Sequence, residues 1–441
     1  EPAWSPTGLL HFISDSSGWW NLYRCMGWLD NDPGQPKCRF SKDAEFAGAA
    51  PGWLLGGQNY CFLKDGRVAT CYKDNATGTS RLVLLREDDD AEEFGQDCLP
   101  AVIGGMCPST DGKVLYFLGG SVDVPNGIYE WILPKVGEKA TPAKMIVCSM
   151  REDMRVDVTY VSVPKPIEFP TANGETAHGY FYSPRNPRFR APEGTAPPLL
   201  VRVHGGPTAC AGATLSLGMQ YWTSRGFAVL DVDYRGSTGY GRAYRDRLKG
   251  NWGITDVEDV CAGAQYLVKQ GLVDPNRLAI DGGSAGGFTT LAALAFKDVF
   301  TAGCSLYGVP DLAALVRDTH KFESRYLDGL VAKYPEDKAI YEARAPICHV
   351  EQISCPILLL QGAEDRIVPK SQAETMYQAV KAQGLPCALR IYEQEEHGFR
   401  RSENIQDALN SELSFFASVF GFEASGDDIP ELEIANFAPK S

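Results

Sequence analysis

"LAIDGGSAGGFTTLAAL", residues 278–294, decides the reading of this chain. An apolar run ends in Asp281, and two glycines, one serine, one alanine and two more glycines follow. The apolar run has the character of a buried strand. "FTTLAALAF" beyond it has the character of a helix, so Ser284 stands at the apex of a strand-to-helix turn. A plain turn does not need four glycines. A turn tight enough to hold one side chain in the open does, because a Cβ at the flanking positions collides as the turn closes. Gly282 and Gly286 occupy those positions, and Gly283 and Gly287 relax the crowding further.

The surrounding sequence supplies the sheet that such a turn belongs to. From about residue 156 onward, "PLLVRVHGG", "GFAVLDVDYRG", "RLAIDGG", "AGCSLYG", "PILLLQG" and "CALRIYEQ" read as strands. Helix-period segments such as "GITDVEDVCAGAQYLVKQG" separate them. That alternation predicts a mostly parallel, doubly wound sheet with helices on both faces. Gly-x-Ser-x-Gly on a strand-to-helix turn is the nucleophile elbow of the α/β-hydrolase fold, and the expectation is that fold. A phosphate-binding glycine loop or a simple helix cap would use a similar pattern, but neither accounts for the partners described below.

The first 150 or so residues read differently. "WSPTGLLHFISD", "FLKDGRVATCY" and "CPSTDGKVLYFLGG" each place a glycine turn before an alternating apolar strand. Gly8, Gly66 and Gly112 are 58 and 46 residues apart, near the roughly 40–50 residues of a propeller blade. The expectation is a partial all-β propeller of about three blades at 1–152, the earlier blades being missing. An α/β-hydrolase catalytic domain follows at 153–422. The last stretch, 423–441, is acidic and without period, a C-terminal surface tail.

A serine hydroxyl is a weak nucleophile at neutral pH and needs a base. In this fold the acid and then the histidine follow the serine. Of six His, only His397, in "EEHGF", lies beyond the last core strand. The acid belongs on the loop after "PILLLQG", where Glu364 and Asp365 stand side by side. A tetrahedral intermediate also needs hydrogen-bond donors, and the N–H of Ala285, next after the serine, is one. The second belongs to the loop after "PLLVRVHGGP", where Gly205 and Gly206 allow close backbone approach. His204 precedes the elbow and reads as shaping that loop.

Composition narrows the class. The 441 residues carry 44% hydrophobic and 22% charged side chains, the balance of a soluble globular protein. A net charge of −14 disfavours nucleic acid, whose phosphates need clustered Lys and Arg. No apolar run approaches the roughly 18 residues of a membrane span. Thirteen Cys without a CxxC pair suit reduced thiols in a cytoplasmic protein. No metal or nucleotide motif is present, so no cofactor is expected.

Taken together, "HGGPTA", "DVDYRGSTGYGRAYR", "WGITDVEDV", "GGSAGG", "QGAEDRIVP" and "EEHGF" resemble the prolyl oligopeptidase family of serine peptidases, in its acylaminoacyl-peptidase and dipeptidyl-peptidase-like branch. The resemblance covers roughly residues 150–422. It implies a Ser284, Asp365 and His397 triad, choosing Asp365 over Glu364. It implies an oxyanion hole of the Gly206 and Ala285 N–H groups. His204 stands where proline-specific members carry an oxyanion tyrosine. Leu312 and Leu315 replace aromatic rings that grip proline in dipeptidyl peptidases. Val309, Leu312 and Phe322 are then the lining of a broader apolar S1 pocket.

The expected function is hydrolysis of short peptides through an acyl-enzyme. A carboxylesterase on the same fold is the alternative, since fold does not set substrate. A non-catalytic binding protein using the propeller as scaffold is the reading of another class. Expected partners are short peptides, with neither nucleic acid nor membrane. The open edge of an unclosed propeller also invites pairing with another chain, a route to a homo-oligomer.

Overall fold

A computed structural model describes residues 2–25, 35–47, 58–74, 77–319, 321–426 and 428–438. The chain divides into two units. One is Glu1–Val163 with Gly212–Leu217 and Ser237–Arg245, and the other is Pro164–Ala211 with Gly218–Gly236 and Asp246–Ser441.

The first unit holds three four-stranded antiparallel sheets among its described residues. The first is β1 (Ala3–Trp4), β2 (Leu10–Ser14), β3 (Asn21–Arg24) and β4 (Lys37–Cys38). The second is β5 (Tyr60–Phe62), β6 (Val68–Lys73), β7 (Ser80–Leu85) and β8 (Ala91–Phe94). The third is β9 (Val102–Pro108), β10 (Val114–Gly120), β11 (Gly127–Ile132) and β12 (Lys144–Cys148). Each begins with the same turn. Gly8, Gly66 and Gly112 sit at φ 81°, 88° and 77° between the first two strands of their sheets. Their N–H groups donate to Ser5, Leu63 and Ser109 carbonyls at 2.9, 3.1 and 3.0 Å. Side chains with a Cβ avoid this left-handed region, which is why glycine recurs at the repeat position. Each of these sheets has the four antiparallel strands of a propeller blade.

The middle blade is buried on both faces. Along β7, Leu82 and Leu84 join a cluster with Leu115, Phe117 and Trp131. The intervening Val83 and Leu85 join a cluster with Leu22, Phe46 and Tyr60. Successive residues of a strand point to opposite faces, so this run of four apolar residues needs a neighbour on each side.

The second unit is built on an eight-stranded sheet in the order β13-β14-β16-β15-β17-β18-β19-β20. The strands are β13 (Lys165–Pro170), β14 (Thr176–Tyr182), β15 (Leu199–Val203), β16 (Ala228–Asp233), β17 (Leu278–Gly283), β18 (Ala302–Leu306), β19 (Ile357–Gly362) and β20 (Cys387–Tyr392). From β16 to β20 all neighbours are parallel, while β13 and β14 run antiparallel. This is the α/β-hydrolase fold. The six strand runs of the sequence are β15–β20. The hairpin β13–β14 was not anticipated, because Pro166 and Pro170 argue against a strand, and β13 is tolerated as an edge.

The core strands are apolar on both faces because helices cover both. Val201, Leu230, Ile280, Ile357 and Leu359 are sealed in one cluster with Val260 and Leu291 from the helices Thr255–Lys269 and Ala285–Phe296. The C-terminal stretch returns to this sheet. Ala435 and Cys387 exchange backbone bonds of 2.9 and 3.1 Å, and Asn436 Nδ2 donates to the Lys381 and Leu385 carbonyls. Part of the acidic tail therefore covers the outer strand, whose backbone groups would otherwise lack partners. No helix among the described residues is long and apolar enough to cross a membrane.

Candidate active site

Ser284 lies between β17 and the helix Ala285–Phe296 at φ 57° and ψ −119°. That backbone is strained for a residue with a Cβ, and strain persists only where the surroundings impose it. Here they do. The Ser284 N–H donates to Leu306 O on the adjacent strand at 2.9 Å, and its carbonyl accepts from Phe288 N at 3.0 Å. The glycines pack as tightly as the turn requires. A Cβ on Gly286 would lie 2.2 Å from Val203 O, and one on Gly282 would lie 2.6 Å from the Gly286 backbone. A Cβ on Gly287 would strike the Gly308 Cα at 2.6 Å, and one on Gly283 the Tyr307 ring at 2.9 Å.

Two loops bring the partners to the serine. The His397 Nε2 is 2.8 Å from Ser284 Oγ, and its Nδ1 is 2.8 Å from Asp365 Oδ2. Asp365 is held from several sides. Its Oδ1 accepts from the Ile367 and Val368 N–H groups, each at 2.9 Å, and Oδ2 accepts from Gln361 Nε2 at 3.2 Å. Its side chain is fully buried, whereas that of His397 is 19% exposed. Glu364, one residue earlier, is exposed to solvent. An Asp365 oxygen bonded to Nδ1–H leaves Nε2 with its lone pair toward Ser284, the arrangement a general base needs.

The glycine loop after β15 lies against the elbow. A Cβ on Gly205 would be 3.1 Å from Gly283 O and 3.6 Å from Ser284 Cβ, and Gly206 sits at φ 124°. Ala285 opens its helix, where N–H groups have no intrahelical acceptor, so its N–H is available beside Ser284. His204 stacks on Tyr234 at 4.4 Å, and its Nδ1 donates to Gly205 O at 2.8 Å. Burial lowers its pKa and keeps the ring neutral. Tyr234 in turn donates to Pro207 O at 2.6 Å, so both rings hold the loop.

The three S1 candidates are not alike. Val309 and Leu312 are 2% and 0% exposed and belong to the main core cluster, whereas Phe322 is 61% exposed. A wholly buried Leu312 could only back a pocket wall from behind.

Two residues were missed by the sequence reading. Tyr307, at φ 39°, sets its ring edge against His397 at 5.1 Å and against Phe399 at 5.3 Å. Glu395 is buried within the histidine loop. Burial works to raise its pKa, but bonds from Asn404, Arg401 N and Arg400 N outweigh it and hold the carboxyl below its ordinary value. That carboxylate gathers the loop around His397 onto the start of the helix Ser402–Phe420. The repeated acid in "EQEEHGF" was the only sequence signal for it.

Behind the elbow lies a set of buried carboxyls. Arg202 Nε is 3.1 Å from both oxygens of Asp281, three residues before Ser284. Desolvation, then Asp281, pushes Glu412 to about 8, and desolvation, then Asp233, pushes Asp231 to about 8. One guanidinium serves several carboxyls, so these two remain protonated at neutral pH. Among the described residues no group of three or more His, Cys, Asp or Glu is arranged to hold a metal ion, and none of the thirteen Cys is in a disulfide.

Comparison with known proteins gives three kinds of match. The prolyl oligopeptidase family model matches residues 213–423. Dipeptidyl aminopeptidase BIII of Pseudoxanthomonas mexicana is 31% identical over 247 residues, 54% of this chain and 36% of that protein. Acylamino-acid-releasing enzyme 1 of Oryza sativa subsp. japonica is 30% identical over 217 residues, 47% of this chain and 28% of that protein. Among solved structures, a puromycin-hydrolyzing peptidase of Mycobacterium tuberculosis superposes with TM-score 0.90 at 38% identity, covering 98% of this chain and 63% of that one. A puromycin hydrolase does so with TM-score 0.89 at 37% identity. The chain thus spans about a third of the length of these curated relatives.

Proposed function

Residues 213–423 belong to the prolyl oligopeptidase family, and from that premise we propose that the chain is a serine peptidase cleaving short peptides through Ser284, His397 and Asp365. The observation that carries the reading is the continuous hydrogen-bonded line of two 2.8 Å contacts from Asp365 through His397 to Ser284. Ser284 Oγ attacks the scissile carbonyl as His397 Nε2 takes its proton. Asp365 holds the ring in the required tautomer and balances the imidazolium that forms. The new oxyanion is met by the N–H groups of Ala285 and Gly206. His397 then returns the proton to the leaving amine, giving an acyl-enzyme on Ser284. Water, activated by the same histidine, releases the acid and restores the serine.

The bond cleaved is an amide. The two similar solved enzymes are described as puromycin hydrolases, and puromycin is an aminoacyl amide. The test is hydrolysis of puromycin, of an aminoacyl p-nitroanilide with and without an N-acetyl group, and of a short-chain p-nitrophenyl ester. Amide cleavage that disappears in Ser284→Ala is expected. Ester cleavage with no amide cleaved would replace the reading with carboxylesterase. No turnover at Ser284 of any substrate would leave only the scaffold reading. The ratio of acetylated to free anilide decides between releasing blocked and unblocked terminal residues.

A further inference from the structure

We propose that the seam between the first two propeller blades is a binding site for a small carboxylate with an apolar body. A cavity of about 320 Å³ opens there, lined from the first blade by Leu9, His11, Arg24 and Arg39 and from the second by Phe62 and Lys64. All these residues belong to the first unit, and none takes part in the Ser284 site. Its size is at the lower end of ligand pockets, which run from about 300 Å³ upward.

The cavity is built around excess positive charge. Arg24 and Arg39 are 6% and 4% exposed, and buried charge is costly unless paired. Asp89 is their shared partner, accepting from Arg39 Nε at 2.5 Å, Lys37 Nζ at 2.9 Å and Arg24 Nη2 at 3.4 Å. Glu87 also lines the cavity, but its side chain is exposed, and it is its backbone carbonyl that accepts from Arg24 Nη1. Three cations, Arg24, Arg39 and Lys64, thus line the cavity, with Glu87 the one carboxylate among its lining residues. The Arg24 Nε, buried, has no hydrogen-bond partner among the described residues.

His11 does not add to the charge. Its Nδ1–H donates to Leu9 O, which leaves Nε2 to accept from Arg39 Nη1 at 3.0 Å. Burial foremost, with the nearby guanidinium groups, takes its pKa down to about 4. The ring is a neutral clamp that orients Arg39, while its other face meets the Phe62 edge at 5.0 Å.

The ligand class follows from the two halves of the wall. The N–H groups that Arg24 and Arg39 do not spend on Asp89, His11 and the Glu87 and Arg86 carbonyls, together with the Lys64 ammonium, select an oxyanion. Leu9, Phe62 and Val68 give the rest of the cavity an apolar surface, which an inorganic anion would leave unused. A ligand held there contacts two separate sheets and ties them together.

Titration calorimetry of the full chain with 3-phenylpropionate, 3-phenylpropionamide and inorganic phosphate tests this. Saturable binding of the carboxylate is expected. The amide and phosphate should bind at least tenfold more weakly. Arg24→Gln and Lys64→Met should each weaken the carboxylate about tenfold, the loss of one charge-assisted bond. Lys64 is exposed, so its variant keeps the fold even if Arg24→Gln unsettles the blade. Absence of carboxylate binding, equal affinity for the amide or for phosphate, or full affinity in Lys64→Met would each overturn the proposal.

Discussion

At the scale of single residues, the proposed chemistry rests on atoms whose neighbours are distinct. Ser284→Ala removes one oxygen and should leave the fold intact while lowering turnover by about 10⁴ or more. A fluorophosphonate probe should label the parent and not this variant. Labelling of another serine would show that the nucleophile lies elsewhere. Asp365→Asn keeps the shape of the side chain but offers Nδ1 the wrong partner, and a loss of roughly 10⁴ in kcat is expected. Glu364→Gln, altering an exposed side chain, should leave kcat within a few-fold of the parent. A reversal of those two effects would mean that the acid is misassigned.

At the scale of elements, the elbow is a packing solution as much as a chemical one. Gly286→Ala would drive a Cβ to 2.2 Å from Val203 O, a backbone atom of the neighbouring core strand. Neither strand can retreat, since β15 and β17 are paired along their length. The expected outcome is loss of soluble, folded protein or a large drop in melting temperature. Gly212→Ala is the control, because a Cβ there would meet nothing within 4 Å among the described residues, and such surface changes stay within about 0.5 kcal/mol. Equal melting temperatures for the two variants would refute the steric account. The histidine loop offers a gentler test. Glu395→Gln weakens the bonds that gather residues 395–404, so kcat should fall more than KM rises while the melting temperature changes little.

At the scale of the whole molecule, the buried carboxyls couple stability to pH. Glu412 and Asp231 have folded pKa values raised to about 8, above their unfolded values near 4. A raised carboxyl pKa means that the folded state binds more protons, so the contribution is full below pH 4 and is lost as pH climbs toward 8. Melting temperature should therefore fall between about pH 5 and pH 8 and level off above that, and Glu412→Gln should flatten the fall. An unchanged slope in that variant would show that Glu412 titrates normally.

Much of this protein was legible in the chain itself. The elbow was readable because glycines are forced by steric exclusion within a few residues. The blades were readable because a left-handed turn needs glycine at the same place in each repeat, Gly8, Gly66 and Gly112. The strands β15–β20 were readable because burial on both faces demands continuous apolar runs. Position along the chain singled out His397, since only one histidine follows the last core strand. What the tertiary structure alone decided concerns groups whose identity is ordinary and whose environment is not. Glu364 and Asp365 are equivalent in local sequence, and only the packing of their loop buries one against His397 and leaves the other in water. Tyr307, Glu395 and the arginine pair of the blade seam show no local pattern, because their partners come from distant segments. Val309, Leu312 and Phe322 look alike as apolar residues, yet two are sealed in the core and one is exposed. Local sterics and periodicity are properties of neighbouring residues, and desolvation and charge are properties of the folded surroundings.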